Sequence, residues 1–200
     1  MLDVDDRRYW RCPACLATFV DPGQHPGREE EKSEYDRHCN AIDDPGYQQF
    51  LRPAFDALTQ RVPGGCRILD YGCGPGPALA NMLTGAGFQV SLYDPIYRPD
   101  SDVLGQRFDA IACTEVVEHF HRPAREFQRL DSLLRPGGWL VIMTRFQTDD
   151  ARFARWHYRR DPTHVVFYRP QTFRVLGCRF GWQVECSPPN LVVIGKAQPG

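Results

Sequence analysis

The hydrophobic pattern of the chain changes from irregular to regular near residue 44. Asp44-Pro45 predicts a helix N-cap followed by proline at the first helical position. Apolar residues then recur at helical spacing until the turn at 63–65, which predicts an amphipathic helix with one face on the domain that follows. These apolar positions are Tyr47, Phe50, Leu51, Phe55, Leu58 and Val62.

From Cys66 onward, short apolar segments alternate with segments of helical periodicity. Strands are predicted at 67–71, 88–93, 108–113 and 139–144, with helices from about 78 to 85 and from 123 to 134. Strands that alternate with helices predict an α/β fold, in which helices cover both faces of a parallel sheet.

The pattern changes again after Thr144. A helix is predicted at 150–160, an extended segment at 164–168 and a last helix at 170–180. Two terminal strands, 182–186 and 191–195, are joined by the turn at 187–190 and predict an antiparallel pair.

Residues 1–40 lack this regularity and are predicted to form an N-terminal appendage to a domain at 41–200. The appendage contains Cys12-Pro13-Ala14-Cys15, which resembles one knuckle of a zinc ribbon. Zinc normally takes four protein ligands in such a site. His25, His38 and Cys39 are candidates to complete it, although their spacing is irregular. The alternative is a remnant knuckle without metal.

Composition restricts the functional classes. The apolar fraction is 42%, the charged fraction 24% and the net charge −1, which fits a soluble globular protein and disfavours nucleic acid as the main partner. Neither a bilayer-spanning run nor a signal-peptide pattern is present, so we expect a cytoplasmic protein. The eight cysteines are then expected to be thiols or metal ligands, not disulfides.

The strongest candidate binding motif is the glycine-rich segment 68–76, where a strand runs into a turn and then a helix. Its glycines permit a sharp turn and close approach of a ligand. Pro75 and Pro77 remove two backbone N–H groups where a phosphate would need donors. Asp70 would repel an anion and suits a cationic ligand. The motif therefore favours a ligand without phosphate over a nicotinamide dinucleotide.

Asp94 follows the next predicted strand. A carboxylate at this position can accept hydrogen bonds from both hydroxyls of a ribose. Capping of a helix or turn is the alternative role.

Five segments in order resemble class I S-adenosylmethionine-dependent methyltransferases, of the small-molecule group that includes ubiquinone-type methylases. The resemblance covers roughly 44–197 and implies a Rossmann-like, doubly wound, mostly parallel sheet. The matching segments are 70–76 for the first motif, Tyr93-Asp94 for the second, 108–119 for the fourth strand, 134–140 for the fifth, and 164–172 before the last helix.

The resemblance also implies roles for individual residues. The glycine turn would line the methionine and ribose side of S-adenosylmethionine, Tyr93-Asp94 would hold the ribose, and the end of the 108–113 strand would border methionine and adenosine. His119 would either face the site or pack. The implied cofactor residues are Asp70, Gly72, Cys73, Gly74, Gly76, Tyr93, Asp94, Thr114, Glu115 and Val116.

One segment departs from the family pattern. Members usually have a helix and a further strand between the ribose carboxylate and the 108–113 strand, but only residues 95–107 are available here. A parallel crossover alone needs about 10–12 residues. We therefore expect the edge strand after Asp94 to be missing, and with it the acidic residue that contacts the adenine amino group.

The acceptor side of the site is expected in 156–164, which contains two histidines and an aspartate. We predict His157 or His164 as the general base and Asp161 as the residue that orients it. The alternative is that both histidines are structural, capping a helix or bonding to backbone.

The sequence therefore predicts methyl transfer from S-adenosylmethionine to a small-molecule acceptor. Three alternatives stay open. They are a nucleic-acid or protein methyltransferase that uses the N-terminal knuckle, a non-catalytic S-adenosylmethionine-binding protein, and a nicotinamide dehydrogenase.

Overall fold

The computed structural model describes residues 1–37 and 41–198, and this part of the chain forms ten strands and six α-helices. None of the helices in these residues is long and apolar enough to cross a bilayer. The strands are β1 (Leu2–Val4), β2 (Arg7–Arg11), β3 (Thr18–Val20), β4 (Arg67–Tyr71), β5 (Gln89–Tyr93), β6 (Phe108–Thr114), β7 (Leu134–Met143), β8 (Val166–Phe167), β9 (Trp182–Ser187) and β10 (Leu191–Lys196). The helices are α1 (Arg28–Tyr35), α2 (Pro45–Thr59), α3 (Ala78–Gly85), α4 (Pro123–Leu133), α5 (Asp150–Phe153) and α6 (Pro170–Phe180).

The central sheet has six strands in the order β5-β4-β6-β7-β10-β9. The first four are parallel, and β10 pairs antiparallel with both β7 and β9. Helices cover both faces of the sheet, so the middle strands consist of continuous apolar runs. The consecutive residues Ile68 and Leu69, for example, are both fully buried. The predicted mostly parallel sheet with a C-terminal antiparallel pair is confirmed.

Successive residues of the central strands belong to two different apolar clusters, one on each face. Ile68 packs with Leu51 and Leu58 of α2, whereas Leu69 belongs to the cluster of Phe127 in α4. Asp44 caps α2 by accepting the N–H of Gly46, as predicted. Helices therefore cover both faces and leave the carboxyl ends of the parallel strands accessible.

Strand β5 is the edge of the central sheet. Residues 95–107 contribute a bridge between Asp94 and Arg98 and a short 3-10 helix, Ser101–Gly105, but no strand. The predicted loss of the edge strand is confirmed, and the sheet is open beside Asp94.

The N-terminal strands form a second, antiparallel sheet in the order β1-β2-β3-β8. Its last strand comes from the C-terminal half, so β3 pairs with β8 across most of the sequence. The buried hydroxyl of Thr18 donates to Oε1 of Gln147 at 2.8 Å, and the hydroxyl of Thr172 donates to the carbonyl of Cys15 at 2.9 Å. The division of the chain near residue 40 stays a prediction, and this sheet crosses it.

The prediction of one helix at 150–160 is wrong. Helix α5 ends at Phe153, Trp156 is extended, and a 3-10 helix follows at His157–Arg160. The break turns Tyr158 and Arg159 inward, where both are buried. Among the strands, the larger differences are that β7 begins at 134 instead of 139 and that β8 has two residues instead of five.

Candidate functional site

The turn after β4 depends on two glycines with left-handed backbone. Gly72 has φ +79° and Gly74 has φ +62°. A Cβ on Gly72 would lie 2.4 Å from Cγ2 of Val116, whereas a Cβ on Gly74 would meet no atom within 4 Å. Gly72 therefore lets the loop after β4 pack on the loop after β6, and Gly74 faces open space.

Three backbone donors of this turn are already used within the protein. Gly72 and Cys73 donate their N–H groups to the carbonyl of Tyr93 at 2.7 and 3.2 Å, and Gly74 donates to Oδ2 of Asp94 at 3.0 Å. Pro75 and Pro77 have no N–H. An anion cradle needs several free N–H groups, so the geometry disfavours a phosphate ligand here.

The position of Asp94 is compatible with both roles that the sequence left open, which are binding a ribose and capping a turn. Its Oδ1 accepts the N–H groups of Ile96 and Tyr97 at 2.8 and 2.9 Å, and its Oδ2 accepts that of Gly74. A carboxylate has about four acceptor positions, so roughly one remains, on Oδ2. Asp94 therefore orders its own turn and retains an acceptor for a ligand hydroxyl.

Asp70 is a buried carboxyl group at the end of β4, next to the start of α3. It is 3% exposed, and the backbone N–H of Ala80 lies close enough to act against a raised pKa. Burial raises the pKa of Asp70 to about 7, and the Asp94 carboxylate acts in the same direction. A cation in front of Asp70 would favour its ionised form.

A cavity of about 960 Å³ lies at the carboxyl ends of β4, β5 and β6, where open α/β sheets bind ligands. All ten residues that the sequence assigned to the cofactor line it. They are Asp70, Gly72, Cys73, Gly74, Gly76, Tyr93, Asp94, Thr114, Glu115 and Val116.

Two carboxyl groups and a tyrosine form a buried cluster behind the β6 side of the cavity. The Tyr158 hydroxyl donates to Oε1 of Glu118 at 2.5 Å and lies 3.2 Å from Oε2 of Glu115. Oε2 of Glu118 and Oε1 of Glu115 are both buried. Burial raises the pKa of both carboxyl groups, most strongly for the fully buried Glu118.

Two histidines lie next to this cluster, with their ring centroids 4.8 Å apart. Nδ1 of His119 is 3.0 Å from the carbonyl of Thr163, and Nδ1 of His164 is 2.6 Å from that of Tyr158. A carbonyl only accepts, so each neutral ring carries its proton on Nδ1 and presents Nε2 as an acceptor. Burial, and then the neighbouring His164, lower the pKa of His119, which favours its neutral form.

Asp161 supports His164. Its Oδ1 accepts the N–H and the hydroxyl of Thr163, and its Oδ2 is 3.7 Å from Nε2 of His164. Although burial acts to raise the pKa of Asp161, His164 and the Thr163 hydrogen bonds lower it. An ionised Asp161 at this distance would stabilise a protonated His164.

The structure brings only part of the predicted catalytic set to the cavity. His164 and Asp161 line it, as does His119, whose role the sequence left open. His157 is exposed on its 3-10 helix and does not line the cavity. Sequence reasoning missed Glu118 and Tyr158. The signal that could have revealed Glu118 is its position as a charged residue between the apolar Val117 and Phe120, which points to a buried carboxyl group.

Metal-ligand atoms converge at one place in residues 1–37 and 41–198. Glu118, His119 and His164 each offer one within 4.8 Å of the others, a donor set that suits a divalent transition metal. Cys12 and Cys15 lie within hydrogen-bonding reach of each other, but His25 packs against His121 instead, with 4.6 Å between ring centroids.

The other proposed zinc ligands, His38 and Cys39, lie outside the described residues. Zinc binding at the knuckle therefore stays a prediction. Metal analysis of the purified protein would test it, and much less than one zinc per chain would end it.

Comparisons with known proteins support the motif assignment. A family model described as a methyltransferase domain matches residues 44–187. The ubiquinone biosynthesis O-methyltransferase of Xylella fastidiosa is 34% identical over an alignment of 114 residues, and the match covers 44% of this chain and 46% of that protein. Its counterpart in Coxiella burnetii is 33% identical over an alignment of 125 residues, and the match covers 52% of each chain. The chain thus spans about half the length of the curated relatives it matches.

Two solved structures share the fold at low sequence identity. Magnesium protoporphyrin IX methyltransferase from Synechocystis, with bound SAH, is 16% identical with a TM-score of 0.58, over 84% of this chain and 94% of that one. A 1,6-didemethyltoxoflavin-N1-methyltransferase from Burkholderia thailandensis, with bound S-adenosylhomocysteine, is 16% identical with a TM-score of 0.54, over 96% and 99%. Since the family model covers most of the chain, this protein belongs to the methyltransferase domain family.

Proposed function

We propose that this protein transfers a methyl group from S-adenosylmethionine to a small-molecule acceptor in the cytoplasm. The main observation behind the proposal is that the glycine turn and Asp94 lie side by side at one cavity. Gly74 and Asp94 are hydrogen-bonded to each other, and both line one large cavity. Family membership supports the same activity.

The charge and donors of the cavity fit an adenosyl sulfonium with an amino-acid tail. Asp94 keeps an acceptor for a ribose hydroxyl, and Asp70 faces the cavity as a carboxyl group that a cation would ionise. Gly72, Cys73 and Gly74 already use their N–H groups within the protein, so the glycine turn offers too few donors for a pyrophosphate. When bound, the cofactor would supply an electrophilic methyl group on positively charged sulfur.

The cavity has room for a second ligand. Its volume of about 960 Å³ lies at the upper end of the 300–1,000 Å³ that small-molecule sites occupy. A cofactor at the glycine turn and Asp94 leaves the wall of His119, His164 and Asp161 for the acceptor. This wall would align the acceptor atom and exclude water, which is the main requirement of an in-line displacement.

His164 is the best-placed proton acceptor for a hydroxyl or protonated amine. Its Nε2 is an acceptor in the neutral ring, and Asp161 compensates the charge that appears when Nε2 takes a proton. His119, held neutral, would orient the acceptor through Nε2. His157 lies away from this wall, so the geometry favours His164 for the role that the sequence left between them.

A crystal grown with S-adenosylhomocysteine tests the proposal. We expect the ribose at Asp94, the ammonium group near Asp70 and a remaining space bordered by His164. Electron density that places the ligand away from the glycine turn, or a cavity filled by side chains, would refute it.

The alternative functions have separate tests. A nucleic-acid methyltransferase would shift RNA in a gel, a result that the net charge of −1 disfavours. A dehydrogenase would bind NAD in calorimetry. A non-catalytic binding protein would bind S-adenosylhomocysteine but leave S-adenosylmethionine unconverted with every acceptor supplied.

A further inference from the structure

Helix α1 borders the ligand cavity although it precedes the methyltransferase motifs in the chain. Arg28, Glu31 and Tyr35 line the cavity together with the glycine turn and Asp94. The N-terminal segment is thus part of the cavity wall.

One side of α1 is bonded to the turn after Asp94. Arg28 donates from Nη2 to the carbonyl of Pro95 at 2.9 Å, and the Tyr97 hydroxyl donates to Oδ1 of Asp36 at 2.6 Å. Lys32 lies over the Tyr97 ring, 5.4 Å from its centroid. These contacts lie on the side where the sheet lacks its edge strand.

The same face of α1 also contacts the loop after β6. Glu31 and Tyr35 are one helical turn apart, so they face the same way. Nε2 of His121 lies 2.8 Å from Oε1 of Glu31, and the Tyr35 ring meets the His119 ring edge-on with 5.1 Å between centroids. The Tyr35 hydroxyl also lies near the side chain of Thr163, whose carbonyl accepts from His119.

Core packing does not account for the position of α1. The helix contains no buried residue, and a helix of eight residues is marginal in isolation. Its order therefore depends on polar and ring contacts with two loops, and both loops border the cavity. A ligand that fixes those loops would also fix α1.

We propose that α1 is the cover of the ligand cavity, and that Tyr35 is a positioning residue that holds His119 and Thr163 on the acceptor side. This inference rests on the proposed function, because the cover acts on the cofactor and acceptor assigned there. The cover replaces the wall that an edge strand beside β5 would otherwise supply. Its contacts join the ribose side of the cavity to the acceptor side.

Calorimetry and dissociation rates with S-adenosylhomocysteine test the cover. We expect a double variant, Glu31→Gln with Tyr35→Ala, to bind about tenfold more weakly and to release the ligand faster. Glu29→Gln makes the same charge change on the exposed side of α1 and should bind like the wild type. Equal affinities for the double variant and the wild type would overturn the proposal.

The positioning role of Tyr35 has its own readout in ¹⁵N spectra of the His119 ring at one fixed pH. The wild type should show the tautomer protonated on Nδ1. Tyr35→Phe keeps the ring contact and should preserve that tautomer, whereas Tyr35→Ala should give a mixture. An unchanged His119 spectrum in Tyr35→Ala would refute the role.

The two hypotheses fail in different ways. If the wild type does not bind S-adenosylhomocysteine, the proposed function fails. If the wild type binds but the α1 variants bind equally well, the cover alone fails.

Discussion

Gly72 and Gly74 share a left-handed backbone but differ in surroundings. An alanine at Gly74 would carry backbone strain of about 1 kcal/mol, whereas one at Gly72 would also collide with Val116. We predict that Gly72→Ala lowers the free energy of unfolding by about 2–4 kcal/mol, since overpacking adds about 1–3 kcal/mol to the strain. Urea denaturation measures both variants, with Gly64→Ala as an unstrained control that meets nothing within 4 Å. Equal losses at Gly72 and Gly74 would contradict the packing account.

Asp70 makes a second residue-level prediction, in the pH dependence of stability. Its pKa is about 7 in the folded protein, above its ordinary value of 3.8. The stability that neutral Asp70 contributes is therefore present below pH 3.8 and is lost as the pH rises through 7. Relative to Asp70→Asn, the wild type should lose roughly 2–3 kcal/mol between about pH 5 and 7.5. A difference that stays constant over this range would show that Asp70 is already ionised at the lower pH.

The sequence predicted the cavity residues on the glycine-turn side better than those on the histidine side. Asp70, Asp94 and the glycine turn follow strands directly, and the carboxyl ends of parallel strands meet at one edge. Tyr35 lines the cavity, and Glu118 bonds to Tyr158, through contacts between segments far apart in the chain. No periodicity within either segment encodes those contacts.

At the scale of elements, the β3–β8 pairing joins the N-terminal segment to the C-terminal half of the chain. Thr18 donates its buried hydroxyl to Gln147 beneath this pairing. Thr18→Val would leave Oε1 of Gln147 without this donor, so we predict a loss of about 1–3 kcal/mol in the free energy of unfolding. Ser33→Ala changes an exposed side chain and should stay within about 0.5 kcal/mol of the wild type. If Thr18→Val behaves like this control, the hydrogen bond contributes little.

Elements with a strong apolar period were predicted well, and those fixed by tertiary contacts were not. Strands β4 to β6 are long enough for their pattern to be distinctive. The predicted helix at 150–160 breaks because Tyr158 bonds to Glu118 and Arg159 to Tyr9. Side-chain partners from elsewhere in the chain overrode local helical propensity there.

At the scale of the molecule, the N-terminal sheet and the central sheet share one apolar cluster, which contains Tyr9, Val20, Leu69 and Ile111. Arg159 bonds to Tyr9 in β2 and to the carbonyl of Ala154. We therefore predict one cooperative unfolding transition, in which the amides of Tyr9 and Val20 exchange hydrogen as slowly as those of Leu69 and Ile111. Markedly faster exchange confined to the N-terminal strands would show that they unfold separately.

Titration calorimetry with S-adenosylhomocysteine, the wild type and Asp94→Ala tests the central claim most directly. The claim is that the glycine turn and Asp94 together hold the cofactor. We predict one ligand per wild-type chain, at least about a tenfold weaker affinity for Asp94→Ala, and no measurable heat with NAD. Equal affinity of a folded Asp94→Ala variant, or binding of NAD in place of S-adenosylhomocysteine, would contradict the claim.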